Sequence, residues 1–400
     1  MNPKIIRAYT VSYSLDLVES QLCEMQKKYE VLLLCSPGIE LDKVEKKYNV
    51  RGIRVPMERH ISIARDFKSL VTLVMVFLKE RPTMVHSMTP KAGMLCMLAA
   101  WLARVPVRVH TFTGLVFPTE TGIKRKILMM TDRITCVCAT HVIPEGEGVM
   151  NDLRNHGITK KPMKVLGYGN IKGVDMTYFS LRPKVLELAQ RIRKKDVFTF
   201  LFVGRIVKDK GVNELCWSMD RLSGFAPVRL ILIGPCEDDL DPISHASKKI
   251  IEDNAVIEYV GEKYGDELLA YYAAADCFVL PSYREGFPNT VLEAGAMGLP
   301  CIVTDINGSR EIIVEGENGV IVPPRNVDAL FQAMLEMVRN KPNRDYMAGK
   351  ARNMIESRFE QSFVQKCLME FYDEILKKRY RLRLCEADMK LDVVLPQQSN

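Results

Sequence analysis

Apolar and polar positions along this chain switch between two periods. Short, nearly continuous apolar runs at residues 5–11, 30–35, 84–87 and 107–112 predict buried strands. Between them, in residues 15–27, 64–79 and 91–103, apolar side chains recur every three or four positions, the spacing of one helix face. A second series of strand-like runs follows at residues 198–203, 229–233, 256–260, 277–280 and 301–304. Strand and helix in alternation predict a parallel sheet covered on both faces, because a crossover between parallel strands needs a helix-length connection. Two series therefore predict two doubly wound units.

Residues 167–173, Gly-Tyr-Gly-Asn-Ile-Lys-Gly, interrupt the pattern with three glycines and few apolar side chains, so the linker is placed there and a cleft is expected between the units. The expected division is 1–172 and 173–358, followed by a helical stretch over residues 359–376 anchored by Phe363 and Phe371. After Arg379 the chain turns basic and then polar, a tail expected to be loose.

Composition narrows the class. A chain of 400 residues with 47% hydrophobic and 26% charged content is long enough for two cores of about 150 to 200 residues each. The net charge of +7 gathers at residues 124–126, 191–195 and 377–383. No aromatic interleaving or recognition motif accompanies these clusters, which argues against nucleic acid. They read as solvated helix faces or as contacts with anionic lipid head groups or a lipid diphosphate. The eleven cysteines lack paired metal spacing: Cys136 and Cys138 have no second pair to close a zinc site, and the set reads as small core residues in a reducing cytosol. The chain starts on a strand-like run without a basic-then-apolar leader, so no export is expected. The greasiest runs, 70–78 and 94–103, fall well short of the roughly 20 residues that span a bilayer, so membrane contact is expected to be peripheral.

Ligands of open α/β sheets sit beyond the carboxyl ends of strands, and two segments at such ends carry candidate chemistry. In the first, an apolar run ending at Leu280 leads into Pro281-Ser282-Tyr283-Arg284-Glu285-Gly286-Phe287-Pro288-Asn289-Thr290-Val291-Leu292-Glu293-Ala294. Gly286 allows close backbone approach, Pro288 suits the first turn of a helix, and free amides are expected around Asn289 to Val291. A helix start favours phosphate and nearby carboxylates accept from hydroxyls, which together suit a phosphorylated sugar or a nucleotide. In the second, a hydrophobic run ends at Gly204-Arg205, and Lys210-Gly211 follows. Arg205 as a planar fork and Lys210 as a point charge could converge on a diphosphate, although a strand followed by a basic loop is also an ordinary solvated turn.

Taken together, the Gly-Arg…Lys-Gly loop and the two glutamates with seven residues between them resemble the retaining nucleotide-sugar glycosyltransferases of family four. That family has the GT-B fold, an α/β architecture of two Rossmann-like parallel-sheet domains facing across a cleft. The resemblance takes in segments 85–93, 107–114 and 308–313, and within the family it is similar to bacterial enzymes of capsule, exopolysaccharide and O-antigen lipopolysaccharide assembly. It implies an N-terminal acceptor-side domain, a C-terminal nucleotide-sugar-binding domain, a terminal helix over residues 359–380 that returns to the first domain, and a tail over 381–400.

The resemblance also implies roles. Arg205 and Lys210 would neutralise the donor diphosphate, and with Glu285 they form the catalytic set. Glu293 would bind the ribose diol, while Glu285 with the backbone of Gly286, Phe287, Pro288 and Asn289 would hold the sugar. Thr290 and Val291 would offer amides to phosphate, with Gly204 completing the donor site. His86, Lys91, His110 and Thr113 are the acceptor-side candidates, the two histidines reading equally as satisfied core or rim residues. The implied reaction moves a sugar, with UDP the expected nucleotide, to a lipid-linked glycan at the cytoplasmic face of a bacterial membrane. Neither a cofactor nor a metal is expected, since the cations could take the electrostatic place that a divalent ion fills elsewhere. In a front-face mechanism a phosphate oxygen would take the acceptor's proton.

Paired glutamates also suit a glycosidase, in which carboxyls lie about 5 to 10 Å apart, but a hydrolase has no use for a diphosphate cradle. Two further readings share the fold: a nucleotide-sugar epimerase, and a nucleotide-sugar-binding partner without turnover. The latter is encouraged by a first loop, residues 11–16, without the family's glycine pair, and by Thr113 at the place of a loop histidine.

Overall fold

The computed structural model describes residues 2–58, 62–237 and 241–392, the last fourteen of these as backbone. The first apolar series forms β1 (Lys4–Ala8), β2 (Glu30–Cys35), β3 (Arg51–Arg54), β4 (Met84–Ser87), β5 (Val107–Phe112) and β6 (His141–Pro144). The second forms β7 (Phe198–Val203), β8 (Val228–Ile233), β9 (Ile257–Tyr259), β10 (Cys277–Leu280), β11 (Cys301–Thr304) and β12 (Gly319–Val322). Each set makes one parallel sheet, in the orders β3-β2-β1-β4-β5-β6 and β12-β11-β10-β7-β8-β9. Read from the first strand of each unit the two orders are the same, and each reverses direction once, at β1/β4 and at β7/β10. A crevice opens at such a reversal, where neighbouring connections leave toward opposite faces of the sheet. The two doubly wound units are therefore as expected.

Three strands stand outside the expected pattern: β3, β6 and β12, all at sheet edges. An edge strand is covered on fewer sides and needs fewer apolar residues, so Arg-Gly-Ile-Arg in β3 and His-Val-Ile-Pro in β6 carry little apolar signal. The first strand ends at Ala8 rather than residue 11, and the expected helix over 15–27 is broken into a 3-10 turn, Ser12–Leu15, and two short helices, Asp16–Glu19 and Leu22–Gln26. Gln21, in the break, turns inward. Its Oε1 accepts from Arg7 at 3.1 Å and its Nε2 donates to the Ile171 carbonyl.

Side-chain alternation divides the core of the first domain. Ile6, Leu34, Val85 and Phe112 face the helices Ile63–Glu80, Pro90–Leu102 and Gly122–Cys138. Ile5, Leu33 and Val109 face the other way, toward Leu22–Gln26, Ile39–Tyr48 and the terminal helix Gln361–Asp392. That terminal helix crosses back from the second domain and seats Leu368, Phe371 and Tyr372 in the first domain's core. Fully buried Arg7 donates to the Tyr372 hydroxyl at 3.1 Å. Tyr372 in turn pairs with Nδ1 of His86.

The tail differs from expectation, because the helix continues to Asp392 over residues rich in Lys, Arg, Leu, Glu and Ala without Gly or Pro. Residues 393–400 lie outside those described. Two of the three basic clusters are also separated: Lys124, Arg125 and Lys126 ride a helix on one face of the first sheet, whereas Lys377 and Lys378 ride the terminal helix on the opposite face. They cannot both lie flat on one surface, and the side chains of residues 379–383 lie outside those described. Of the cysteines, Cys136 and Cys138 are buried as expected, while Cys23 and Cys236 are exposed.

The chain crosses between domains twice, once near Val174 and once near Glu360. The crossings lie side by side: the Val174 amide donates to the Phe359 carbonyl at 2.9 Å and the Gln361 amide to the Val174 carbonyl at 3.0 Å.

Candidate active site

β10 delivers its loop at the reversal of the second sheet. Pro288 is the N-cap residue of the helix Asn289–Ala296, one position ahead of the first turn expected for it. Val291, Leu292 and Ala294 bury one side of this helix. Glu293 faces the other way, into a cavity of 680 Å³ at the carboxyl ends of β7 and β8. Gly204, Arg205, Asn289 and Thr290 line the same cavity, and Asp16 and Lys172 close it from the side of the first domain and the linker. Five of the expected donor residues thus share one space.

Within it, Tyr272 donates its hydroxyl to Glu293 at 3.0 Å. Glu293 is partly exposed as a residue, but its carboxyl is enclosed by protein, and burial pushes it up to about 7 against the opposing pull of Lys172 and the Tyr272 hydrogen bond. Lys172 itself pairs with Asp16 at 2.5 Å. The helix start carries one difference from expectation. The Val291 amide donates to the Pro288 carbonyl at 3.1 Å, a 3-10-type closure of the first turn, which leaves Asn289 and Thr290 as the cavity-lining residues at that end.

The cations do not stand free. Arg205 donates to Glu237 at 2.6 Å. Lys210 is ion-paired with Glu285, which also accepts from Ser282 at 2.7 Å. Lys210 and Glu285 therefore meet each other, and neither lines the cavity that Arg205 and Glu293 share. Phe287 is buried edge-on against Phe359, and its side chain serves packing. Gly286 makes the expected close approach, but to protein: a Cβ there would lie 2.0 Å from the Thr113 carbonyl oxygen across the cleft.

A second cavity, of 740 Å³, lies on the first-domain side of the cleft. Lys91, His110 and Thr113 line it, three of the four acceptor-side candidates. Lys91 pairs with Asp66 at 2.7 Å, Thr113 donates to the Met88 carbonyl at 3.1 Å, and His110 bonds through Nδ1 to Ser87 at 2.8 Å. Burial drives His110 down to about 3, so its ring is neutral. His86 is not at this cavity. It is buried between Tyr372 and Thr111, on the sheet face covered by the terminal helix, and burial holds it well below the ordinary histidine range. It is a satisfied core histidine. Arg205 lines both cavities, and Arg284, paired with Asp209 at 2.6 Å, joins it in the second.

Sequence reasoning missed several of these residues. Arg284 stands inside the quoted motif but gave no signal apart from its neighbour Glu285. Asp132 lines the second cavity, and burial raises its carboxyl to about 7. Glu145, 4% exposed at the end of β6, is pushed up to about 8 by burial and then by the charges of Glu311 and Glu285. Glu311 accepts from the backbone amides of Glu147 at 2.6 Å and Gly148 at 3.1 Å, so a second-domain carboxylate caps a first-domain helix. Among the described residues no group of three or more His, Cys, Asp or Glu side chains gathers that could hold a metal.

Comparison with known proteins fits this architecture. Residues 16–169 match the glycosyl transferase 4-like domain and residues 186–354 match glycosyl transferases group 1. The capsular polysaccharide biosynthesis glycosyltransferase CapM of Staphylococcus aureus is 31% identical over 380 residues, 94% of this chain and 98% of the relative. An Escherichia coli UDP-Gal:alpha-D-GlcNAc-diphosphoundecaprenol alpha-1,3-galactosyltransferase is 29% identical, covering 83% of this chain and 86% of its own. Among solved structures, Anabaena HepE in complex with UDP and glucose superposes with a TM-score of 0.77 at 16% identity, over 93% of this chain and 100% of that one. The two-domain fold is GT-B, and with near full-length similarity to CapM and both domain models matched, the chain belongs to the group 1 glycosyltransferases.

Proposed function

We propose that this glycosyltransferase moves a sugar from a nucleoside diphosphate sugar, with UDP as the nucleotide, to a lipid-linked glycan intermediate of bacterial surface polysaccharide, with retention at the anomeric carbon and without a metal or other cofactor. The observation that carries the reading is the pair of cavities that share Arg205 as a wall. One holds a carboxylate and a helix start suited to a nucleotide, and the other has room for an acceptor. The names of the E. coli relative and of a Campylobacter jejuni relative specify undecaprenyl diphosphate-linked acceptors, and HepE holds UDP. These similarities support the choice of donor and acceptor class.

Glu293 takes the ribose diol, and the Asn289–Thr290 helix start faces a phosphate. Breaking the anomeric bond leaves growing negative charge on the diphosphate, which Arg205 and Lys210 stabilise, Lys210 by exchanging part of its contact with Glu285. Glu285 then meets the sugar with the Gly286–Asn289 backbone. The acceptor hydroxyl approaches from the second cavity, past Lys91, His110 and Thr113, and gives its proton to a phosphate oxygen on the departing face. The work is done at the cytoplasmic face of the membrane.

Ultraviolet-monitored UDP release with pooled lipid-linked acceptors, across several UDP-sugars and with chelator present, tests this reading. Acceptor-dependent release and an α-linked product from an α-linked donor, seen by NMR, are expected. Nucleotide binding without release would mark a non-catalytic partner. Interconversion of the donor sugar without acceptor would mark an epimerase, and activity abolished by chelator would overturn metal independence.

A further inference from the structure

The helix Ile63–Glu80 presents to solvent a face that water does not favour. Its inner side buries Leu73 and Phe77, as an amphipathic helix should, yet Ile63, Phe67, Val71, Met75 and Leu78 recur along its outer side with exposures from 42% to 86%. On the two helices that follow across the same sheet face, Trp101, Ile123, Met130 and Val137 are each more than half exposed. Single exposed apolar residues are ordinary; a field of large ones over three neighbouring helices marks a surface that something covers.

Charge on this face is one-sided. Lys68, Lys79, Arg104 and Lys126 are exposed among the apolar residues. The acids nearby are already taken or turned inward: Asp66 pairs with Lys91, Glu80 with Arg51 and Lys4, and Glu120 with Lys124, while Asp132 is in the wall of the second cavity. A second copy docking the same patch on itself would set these cations against one another, because a two-fold interface is self-complementary. An anionic bilayer satisfies both properties: acyl chains take the apolar residues and head groups take the cations. The second cavity runs out onto this face. Ile127 both lines the cavity and is exposed, and Asp66, one residue from Phe67, is also in its wall. No described helix is long and apolar enough to cross a membrane, so the contact lies in the surface of the bilayer.

We infer that the outer face of the helices Ile63–Glu80, Pro90–Leu102 and Gly122–Cys138 is a bilayer-docking surface, seated in anionic lipid so that the second cavity opens at the membrane plane. The inference rests on the proposed lipid-linked acceptor only for its purpose; the surface itself is argued from exposure and charge. It excludes the terminal helix, on the opposite sheet face, from the same contact.

Co-sedimentation of the full chain with vesicles of phosphatidylcholine alone, or with about one third phosphatidylglycerol, tests it. The wild type should pellet with the anionic vesicles at least tenfold better than with neutral ones, and the difference should shrink as salt shortens the screening length. Phe67→Glu with Met75→Glu should lower binding at least tenfold, as should Lys68→Glu with Lys126→Glu, while Phe225→Glu, an exposed aromatic of the second domain, should not. Circular dichroism checks that each variant is folded. Equal binding by all variants, or pelleting with neither vesicle, would overturn the inference. So would a wild-type dimer that Phe67→Glu renders monomeric, since a second copy would then own the face. Transfer to a short-tailed, water-dispersed lipid diphosphate acceptor needs no bilayer. If that transfer proceeds while vesicle binding is absent, the docking surface falls and the proposed function stands; vesicle binding by this face without transfer supports the surface and counts against the function.

Discussion

Gly286 of the second domain lies against Thr113 of the first so closely that a Cβ at position 286 would stand 2.0 Å from the Thr113 carbonyl oxygen. No rotamer relieves that contact, since both parties are backbone. Gly286→Ala must therefore push the domains apart between the two cavities. Misplacement of reacting groups by about 1 Å can cost on the order of 100-fold in rate. We expect turnover to fall by that order while UDP-sugar affinity changes much less, measured by steady-state kinetics and calorimetry. Unchanged turnover would mean that the chemistry does not need this closed contact.

Arg205→Ala and Lys210→Ala are each expected to weaken binding of a nucleoside diphosphate by about 1.5–3 kcal/mol, the range for hydrogen bonds to charged groups. The two should differ in a second respect. Arg205 lines both cavities, so its loss should also weaken the acceptor, whereas Lys210 touches Glu285 and its loss should not. Calorimetry with UDP, followed by acceptor titration at saturating donor, separates them, and wild-type UDP affinity in either variant would remove that residue from the diphosphate.

Glu293, raised by burial from 4.5 to about 7, gives a signed pH dependence. Ionising it costs the empty protein stability as pH rises from about 4.5 toward 7, because the folded state holds the proton longer than the unfolded chain. Ligand binding runs the other way. A diol donating two hydrogen bonds favours the carboxylate, so UDP-sugar affinity should rise through neutrality and level off above it, and at pH 6 should be about tenfold weaker than at pH 8. Glu293→Gln should flatten that profile and weaken UDP itself, while Glu285→Gln should chiefly lower turnover. A profile that keeps its slope in Glu293→Gln would assign the titration elsewhere.

Tyr372 ties the returning helix to the first sheet. Its hydroxyl accepts from buried Arg7 at 3.1 Å and is left to donate to Nδ1 of His86, whose Nε2 proton then goes to Thr111 at 2.7 Å. Tyr372→Phe keeps the ring packing and strands a buried cation's donor, so a loss of about 1.5–3 kcal/mol is expected in urea unfolding. A loss below about 0.5 kcal/mol would show that Gln21 and Tyr9 suffice for Arg7.

These residues also show what the sequence made legible. The ends of β7 and β10 could be placed because each is a continuous apolar run stopped by Gly204 or Pro281, and central strands of a parallel sheet need such runs. The edge strands β3 and β6 lacked them, and β12, although its Val320-Ile321-Val322 run is stopped by Pro323, is only three apolar residues long. The Gly-Arg…Lys-Gly loop and the two glutamates were found, but not that Lys210 pairs with Glu285 or Arg205 with Glu237, since pairing between separate loops is fixed by tertiary approach that no local pattern encodes. The histidines could have been separated by parity. In β4 and β5 alternate residues face opposite sides, and His86 shares its side with Met84 while His110 shares its side with Phe112. One side ends under the terminal helix and the other at the second cavity.

The paired crossings at Val174 and Glu360 limit how this molecule can move. Two bodies joined by one strand can swivel, slide and bend; joined by two strands that are hydrogen-bonded to each other, they retain chiefly one freedom, rotation about the line through both joints. The Glu311 cap on the Glu147–Asn155 helix and the Gly286 contact with Thr113 both lie across the cleft, so they make and break together as that angle changes. Opening to admit a donor and closing to present an acceptor then become a single coordinate, and a substitution at any of these contacts acts on the same angle.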